Sequence, residues 1–122
     1  AAAAASTLKD RGIAAAVYNC PSLRPFDTDA VIAAVAACGG RAITVEEHSV
    51  HGGLGSLVAE ALAEAGALGT GCILKRLGIP EGEFSVAGPR GEIRAYYGFD
   101  AAGIIQKAEG LVRKSPRVTV RA

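Results

Sequence analysis

The chain has 122 residues, with 13 Lys+Arg against 12 Asp+Glu and a formal charge of +1. Half of it is hydrophobic and one fifth charged, the balance of a folded chain, and the length fits one domain over residues 1–122. Near-neutrality gives no field for phosphate backbones or anionic lipid, so neither nucleic acid nor membrane is expected as a partner. No apolar run reaches the ~18–20 residues of a membrane span.

The elements follow in chain order. Gly12–Tyr18 (GIAAAVY) is an apolar run closed by Asn19 and Pro21, and it predicts a strand buried on both faces. Pro21–Phe26 holds two prolines and reads as a loop. Asp27, Thr28 and Asp29 supply N-cap chemistry for a helix over Ala30–Cys38, apolar on nearly every face, which Gly39 and Gly40 end. Ala42–Glu46 predicts the second strand, Glu47–Gly53 a turn, and Leu54–Ala65 an amphipathic helix with Leu54, Leu57, Val58, Ala61 and Leu62 on one stripe. Cys72–Leu77 is the third strand and Gly78–Gly91 a Gly/Pro-rich loop. A short helix follows over Glu92–Tyr97. Asp100 caps a last helix through Lys114 with Ile104, Ile105, Ala108 and Leu111 inward, and the alternation of Arg117–Val120 predicts a terminal strand.

Strands alternating with helices through short connections imply parallel pairing with right-handed crossovers. Strands apolar on both faces need helices on both sides. The expected fold is α/β, a three-layer α/β/α sandwich around a mostly parallel sheet. With aromatics at 5% and neither Trp nor Met, its core must be built from Ala, Val, Ile and Leu. The lack of Met and the run Ala1–Ala5 suggest part of a longer polypeptide. Cys20, Cys38 and Cys72 are odd in number and far apart, a pattern for buried free thiols in a reducing, cytoplasmic setting rather than for a metal site or disulfide framework.

One polar cluster stands out, Glu46 to Ser56, where a strand hands over to a helix and α/β folds place their ligands. Gly52, Gly53 and Gly55 permit a tight turn, and the helix start beyond them offers free amides to a phosphate or carboxylate. The same glycines would equally serve close helix–sheet packing alone. The segment is neither G-x-G-x-x-G nor a Walker motif. Glu46, Glu47, His48 and His51 invite a metal or acid–base reading, but H-x-x-H in a loop fixes only two ligands and no nucleophile accompanies it. Glu47, His48, His51, Gly52, Gly53, Gly55 and Ser56 are therefore the candidate interface or anion-binding loop, and no catalytic, cofactor-binding or metal-ligating residue is assigned. Lys75 and Arg76 read as a solvated strand end. Arg90, Glu92 and Arg94 read as surface ion pairs, and Tyr96 and Tyr97 as packing against the core or a partner.

Four segments carry a resemblance. Val45–Ser56 (VEEHSVHGGLGS) is similar to the V-E-E-H-x-x-x-G-G-L-G-S segment of the C-terminal domain of transketolase-type, thiamine-diphosphate-dependent enzymes. In the same order, Asn19–Asp27 (NCPSLRPFD) resembles N-x-P-x-L-K-P-L-D, Arg76–Glu81 (RLGIPE) resembles R-x-G-I-P-D, and Tyr97–Ile104 (YGFDAAGI) resembles Y-G-L-D-A-x-G-I. Together they extend from Arg11 to about Lys107.

The resemblance implies a mixed sheet whose first, antiparallel strand precedes a helix corresponding to Ala1–Lys9 and has no counterpart here; Arg117–Val120 is a candidate for that edge. It further implies a parent enzyme that moves a two-carbon ketol unit between sugar phosphates with thiamine diphosphate and a divalent metal. Those groups are held by other domains, and this one serves subunit contact and stability. No G-D-G…N-N motif is present, so the segment alone is expected to be inactive, working in a homodimer or with catalytic partner domains or a partner subunit. Related readings are 1-deoxyxylulose-5-phosphate synthase, a 2-oxoacid dehydrogenase β-subunit, and a stand-alone anion-binding or interaction module. His48 and Leu54-Gly55-Ser56 lean towards transketolase, especially the kind split into two chains.

Overall fold

The computed structural model describes residues 1–83 and 85–113. Helix α1 (Ala2–Asp10) opens the chain, followed by α2 (Thr28–Ala37), β1 (Arg41–Ser49) and α3 (Leu54–Glu64). A 3-10 turn over Ala67–Thr70 then leads to β2 (Ile73–Ile79), α4 (Arg90–Tyr96) and α5 (Ala101–Arg113). The caps are those the sequence offers. Asp27 Oδ1 accepts from the Ala30 amide at 3.0 Å to start α2, and Asp100 Oδ1 accepts from the Gly103 amide at 2.8 Å to start α5. Gly39 and Gly40, at φ +64° and +73°, turn the chain out of α2 and into β1.

β1 and β2 pair in parallel, with Arg41 opposite Ile73 and Val45 opposite Leu77. The alternation of side chains across a strand sends them to two different layers. Ile43, Val45, Leu77 and Ile79 pack with Ala4 of α1, Ile104 and Ile105 of α5, and Phe99. Ala42 and Leu74 pack on the other side with Val31 and Val35 of α2 and Leu54, Val58 and Leu62 of α3. Helices therefore cover both faces of a parallel sheet, as expected for an α/β/α sandwich, with two strands in the sheet among the described residues. Arg11 beyond α1 pairs with Glu109 of α5 at 2.7 Å.

The first expected strand is not formed. Gly12–Tyr18 makes no ladder, and Val17 and Tyr18 are 52% and 62% exposed. Gly12 takes φ +78° and the Ile13 amide bonds back to the Leu8 carbonyl, which turns the chain away from the sheet. Ala14–Ala16 have little apolar area to bury and a low strand preference, so the segment gains little by docking. A cleft of about 1170 Å³ separates it from the Arg41–Val45 edge of β1. For the same reason α2 is less buried than its apolar sequence suggests, with Val35 as its buried residue.

The cysteines also differ from expectation. All three are free, but Cys38 is exposed and Cys20 and Cys72 are half-buried. Burial pushes the Cys72 thiol up from its ordinary value. The terminal strand expected at Arg117–Val120 lies outside the described residues, as does Lys114.

Candidate functional site

β1 runs three residues further than its apolar core predicts, to Ser49, and this sets the geometry of the loop. Ala42, Thr44 and Glu46 fall on one face by the two-residue period of a strand, and that face lies under α3. Glu46 is 7% exposed. Its Oε2 accepts the Leu54 amide at 2.6 Å and its Oε1 the Gly55 amide at 2.7 Å. His48 Nε2 lies 2.9 Å from the same Oε2. Glu46 thus caps α3 from a neighbouring strand, facing the positive end of the helix dipole with charge-assisted bonds.

The glycines of this turn do different work. Gly52 is the one that takes a left-handed conformation, φ +77°, and its amide donates to Ser56 Oγ at 2.9 Å. Gly53 has φ −113°, which any residue adopts, but a Cβ there would collide with the Glu46 carboxylate and the His48 imidazole. At Gly55 a Cβ would stand 2.8 Å from both Arg76 Cδ and Thr44 Oγ1. The helix start fits so closely over the strands because these positions have no side chain.

Glu47 points the opposite way from Glu46, so the two carboxylates do not converge. It receives Arg90 Nε and Nη2 of α4 at 2.8 and 2.7 Å, and Arg94 of the same helix closes on its Oε1. Arg90 and Arg94 are surface ion pairs as expected, but their partner is Glu47, some forty residues earlier in the chain, rather than Glu92. His51 turns away from His48 and sets its Nε2 3.3 Å from Glu81 Oε2, both groups being exposed. The His51 amide donates to Ser49 Oγ at 3.2 Å. Arg76 is not merely a solvated strand end, since its guanidinium donates to the Val50 carbonyl at 2.9 Å and its methylenes pack under Gly55. Tyr97 stacks parallel to buried Phe99 at 6.0 Å, whereas Tyr96 is 67% exposed and meets Tyr97 edge-on.

The candidate residues are thus brought together at one well-braced junction of β1 and α3, with Glu47, His48, His51 and Gly52 exposed, Gly53 and Gly55 buried, and His48 and His51 committed to different carboxylates. Among the described residues no group of three or more His, Cys, Asp or Glu is placed to hold a metal ion. The Leu54 and Gly55 amides, which an incoming anion would use, are taken by Glu46. Local sequence pattern does not by itself reveal that Glu46 caps α3 or that Arg76 lies beneath the helix start. The alternation Ala42, Thr44, Glu46 towards the α3 face was the signal available for the first.

The family model described as "Transketolase, C-terminal domain" matches residues 1–104. The chain belongs to the transketolase C-terminal domain family. Within that family it is 46% identical over 108 residues to a subunit of the apulose-4-phosphate transketolase of Actinobacillus succinogenes, covering 88% of this chain and 33% of the relative. It is 43% identical over 109 residues to 1-deoxy-D-xylulose-5-phosphate synthase 1 of Geobacter sulfurreducens, covering 89% of this chain and 16% of the relative. A solved structure described as a split-gene transketolase, inactive beta4 tetramer, superposes with a TM-score of 0.76 at 28% identity, covering 94% of this chain and 36% of that one. The chain therefore spans a third or less of the curated relatives just named. Among the described residues no helix is long and apolar enough to cross a membrane.

Proposed function

We propose that this chain is the C-terminal, assembly-bearing domain of a transketolase-type enzyme that transfers a two-carbon ketol unit between sugar phosphates. The observation that carries the reading is the loop Glu47–Ser56. Its Glu47, His48 and His51 are exposed, and it is held in one shape by Glu46 at the α3 start, Arg90 and Arg94 on Glu47, and Arg76 on Val50. A surface that is already ordered loses little freedom when a partner docks, which favours an interface. Glu47, His48 and His51 are the polar contacts it offers, with Gly52, Gly53, Gly55 and Ser56 setting their positions. The partner is a second copy of the chain or the catalytic subunit, in keeping with the split, two-chain relatives.

Thiamine diphosphate and its divalent metal supply carbanion chemistry in the family the sequence resembles. The described residues of this chain do not fit them, because the amides at the start of α3 are taken by Glu46 and no metal-donor cluster forms. We assign the cofactor and the chemistry it supports to other parts of a cytoplasmic parent enzyme, and expect this domain to be inactive alone.

The test compares the full protein with a Glu47→Ala/His48→Ala/His51→Ala variant by sedimentation and by ketol transfer between sugar phosphates. The reading expects a smaller assembly and lower activity, while circular dichroism shows the domain folded. Unchanged assembly and activity would remove the interface assignment. The 43% identity to a 1-deoxyxylulose-5-phosphate synthase supports a second reading of the parent reaction. Product analysis that finds 1-deoxyxylulose 5-phosphate in place of ketol transfer would select it.

A further inference from the structure

The start of α3 is an anion site that the chain has filled from within. Two successive helix amides and the His48 imidazole converge on one carboxylate at 2.6 to 2.9 Å. The carboxylate belongs to a side chain only 5% exposed, and the space around it exists because Gly53 carries no Cβ. A second buried polar group lies close to the same helix start. Thr44 lies two residues before Glu46 on the same face of β1, is 6% exposed, and its hydroxyl has no hydrogen-bond partner among the described residues. That hydroxyl faces the first turn of α3, where a Cβ on Gly55 would stand 2.8 Å from it. A buried hydroxyl without a partner is a group that a bound water or ion can satisfy, and with the space around the Glu46 carboxylate it makes the start of α3 a polar chamber.

We infer that this chamber is a carboxylate-binding site whose resident ligand is Glu46, and that a free monocarboxylate occupies it when that side chain is removed. Three donors, arranged around two oxygens, suit a planar monocarboxylate such as formate or acetate. Inorganic phosphate, tetrahedral and larger, matches the donor set less well. In the intact chain the tethered carboxylate outcompetes any dissolved one through its high effective concentration. The intact domain therefore gains nothing specific from dissolved anions, and its loop stays in one shape whatever the metabolite pool.

The experiment uses the full chain and its Glu46→Ala variant, melted at neutral pH in sodium chloride, formate, acetate or phosphate at equal ionic strength. The variant in chloride is expected to melt roughly 5–15 °C below the parent, the loss of a buried cap on a domain of this size. Formate and acetate should restore about half of that loss or more, with saturation at millimolar to molar concentration, as ligand linkage requires. The parent protein and Glu46→Gln, which keeps the chamber filled, should show no such recovery.

Three results would overturn the inference. One is the absence of recovery in formate and acetate. Another is an equal rise in parent and variant, which is a general salt effect. The third is a preference for phosphate over both carboxylates. Should the variant precipitate on expression, refolding from urea gives the same decision. Soluble yield restored in formate but not in chloride supports the site, and precipitation in both counts against it.

Discussion

Glu46 and Gly55 lie nine residues apart on different elements, yet the carboxylate of one accepts the amide of the other at 2.7 Å inside the protein. This contact, with the Leu54 amide and His48 beside it, ties the end of β1 to the start of α3 and fixes the turn between them. The loop is therefore a consequence of packing, and substitutions that disturb its buried side should cost more than those on its exposed side.

Glu46→Gln is the least invasive probe of the cap. The amide retains one acceptor oxygen but presents an NH2 group to a backbone N–H, so one buried donor loses its partner. We expect a loss of about 1–3 kcal/mol in urea unfolding, the cost of an unsatisfied buried group. A loss below about 0.5 kcal/mol, the range of ordinary surface substitutions, would show that the cap contributes little.

Gly52→Ala and Gly53→Ala separate backbone conformation from space. At Gly52 there is open room for a Cβ but φ is +77°, so we expect a loss of about 1 kcal/mol. At Gly53 the backbone is ordinary, but the Cβ collides with Glu46 and His48, so the loss should be larger, about 1–3 kcal/mol as for other overpacked sites. Melting temperatures in the order parent, Gly52→Ala, Gly53→Ala check this; the reverse order would contradict it.

Glu47→Ala should behave differently. Its partners Arg90 and Arg94 are solvent-accessible, so the pairs contribute at most about 1 kcal/mol, and less as salt rises. Unfolding in low and high salt measures this. A stability loss that persists undiminished in high salt would show that the cluster does more than pair surface charges.

Asp100→Ala removes the cap of α5, whose Gly103 amide it holds at 2.8 Å, and should cost about 1 kcal/mol. Gly103→Ala should cost more, because a Cβ there runs into the Gly98 carbonyl. Because α5 packs on α1 and on both strands, thermal melts of the two variants should remain single transitions.

The cysteines give a labelling test. Cys38 is exposed, whereas Cys72 is half-buried with its thiol pushed up by desolvation. At pH 8 a raised value leaves less of the reactive thiolate, so iodoacetamide should label Cys38 before Cys72. The Cys72 rate should go on rising at pH values where an ordinary thiol has levelled off. Mass mapping of the peptides reads both. Faster labelling at Cys72 would contradict its placement against the sheet.

Much of this domain is determined by its sequence alone. Asp27, Asp100 and the Gly39-Gly40 pair mark helix ends by chemistry that acts within a few residues. The Leu54–Leu62 stripe and the apolar runs of β1 and β2 set element type by local period, and alternation of strands with helices implies a parallel sheet with helices on both faces. Four segments in register, Asn19–Asp27, Val45–Ser56, Arg76–Glu81 and Tyr97–Ile104, point to the family that the domain match shows. Only tertiary structure decided which partners meet. Glu46 and Glu47 are chemically alike and adjacent, but one is buried as a helix cap and the other joins two arginines at the surface, because neighbouring residues on a strand face opposite layers. Gly12–Tyr18 had the apolar content of a strand, but docking weighs buried area against lost freedom, and a run of alanines brings too little area to decide that balance locally. Local chemistry is encoded within a few residues; who fills the chamber at the start of α3 depends on the distance between two elements, which no short segment contains.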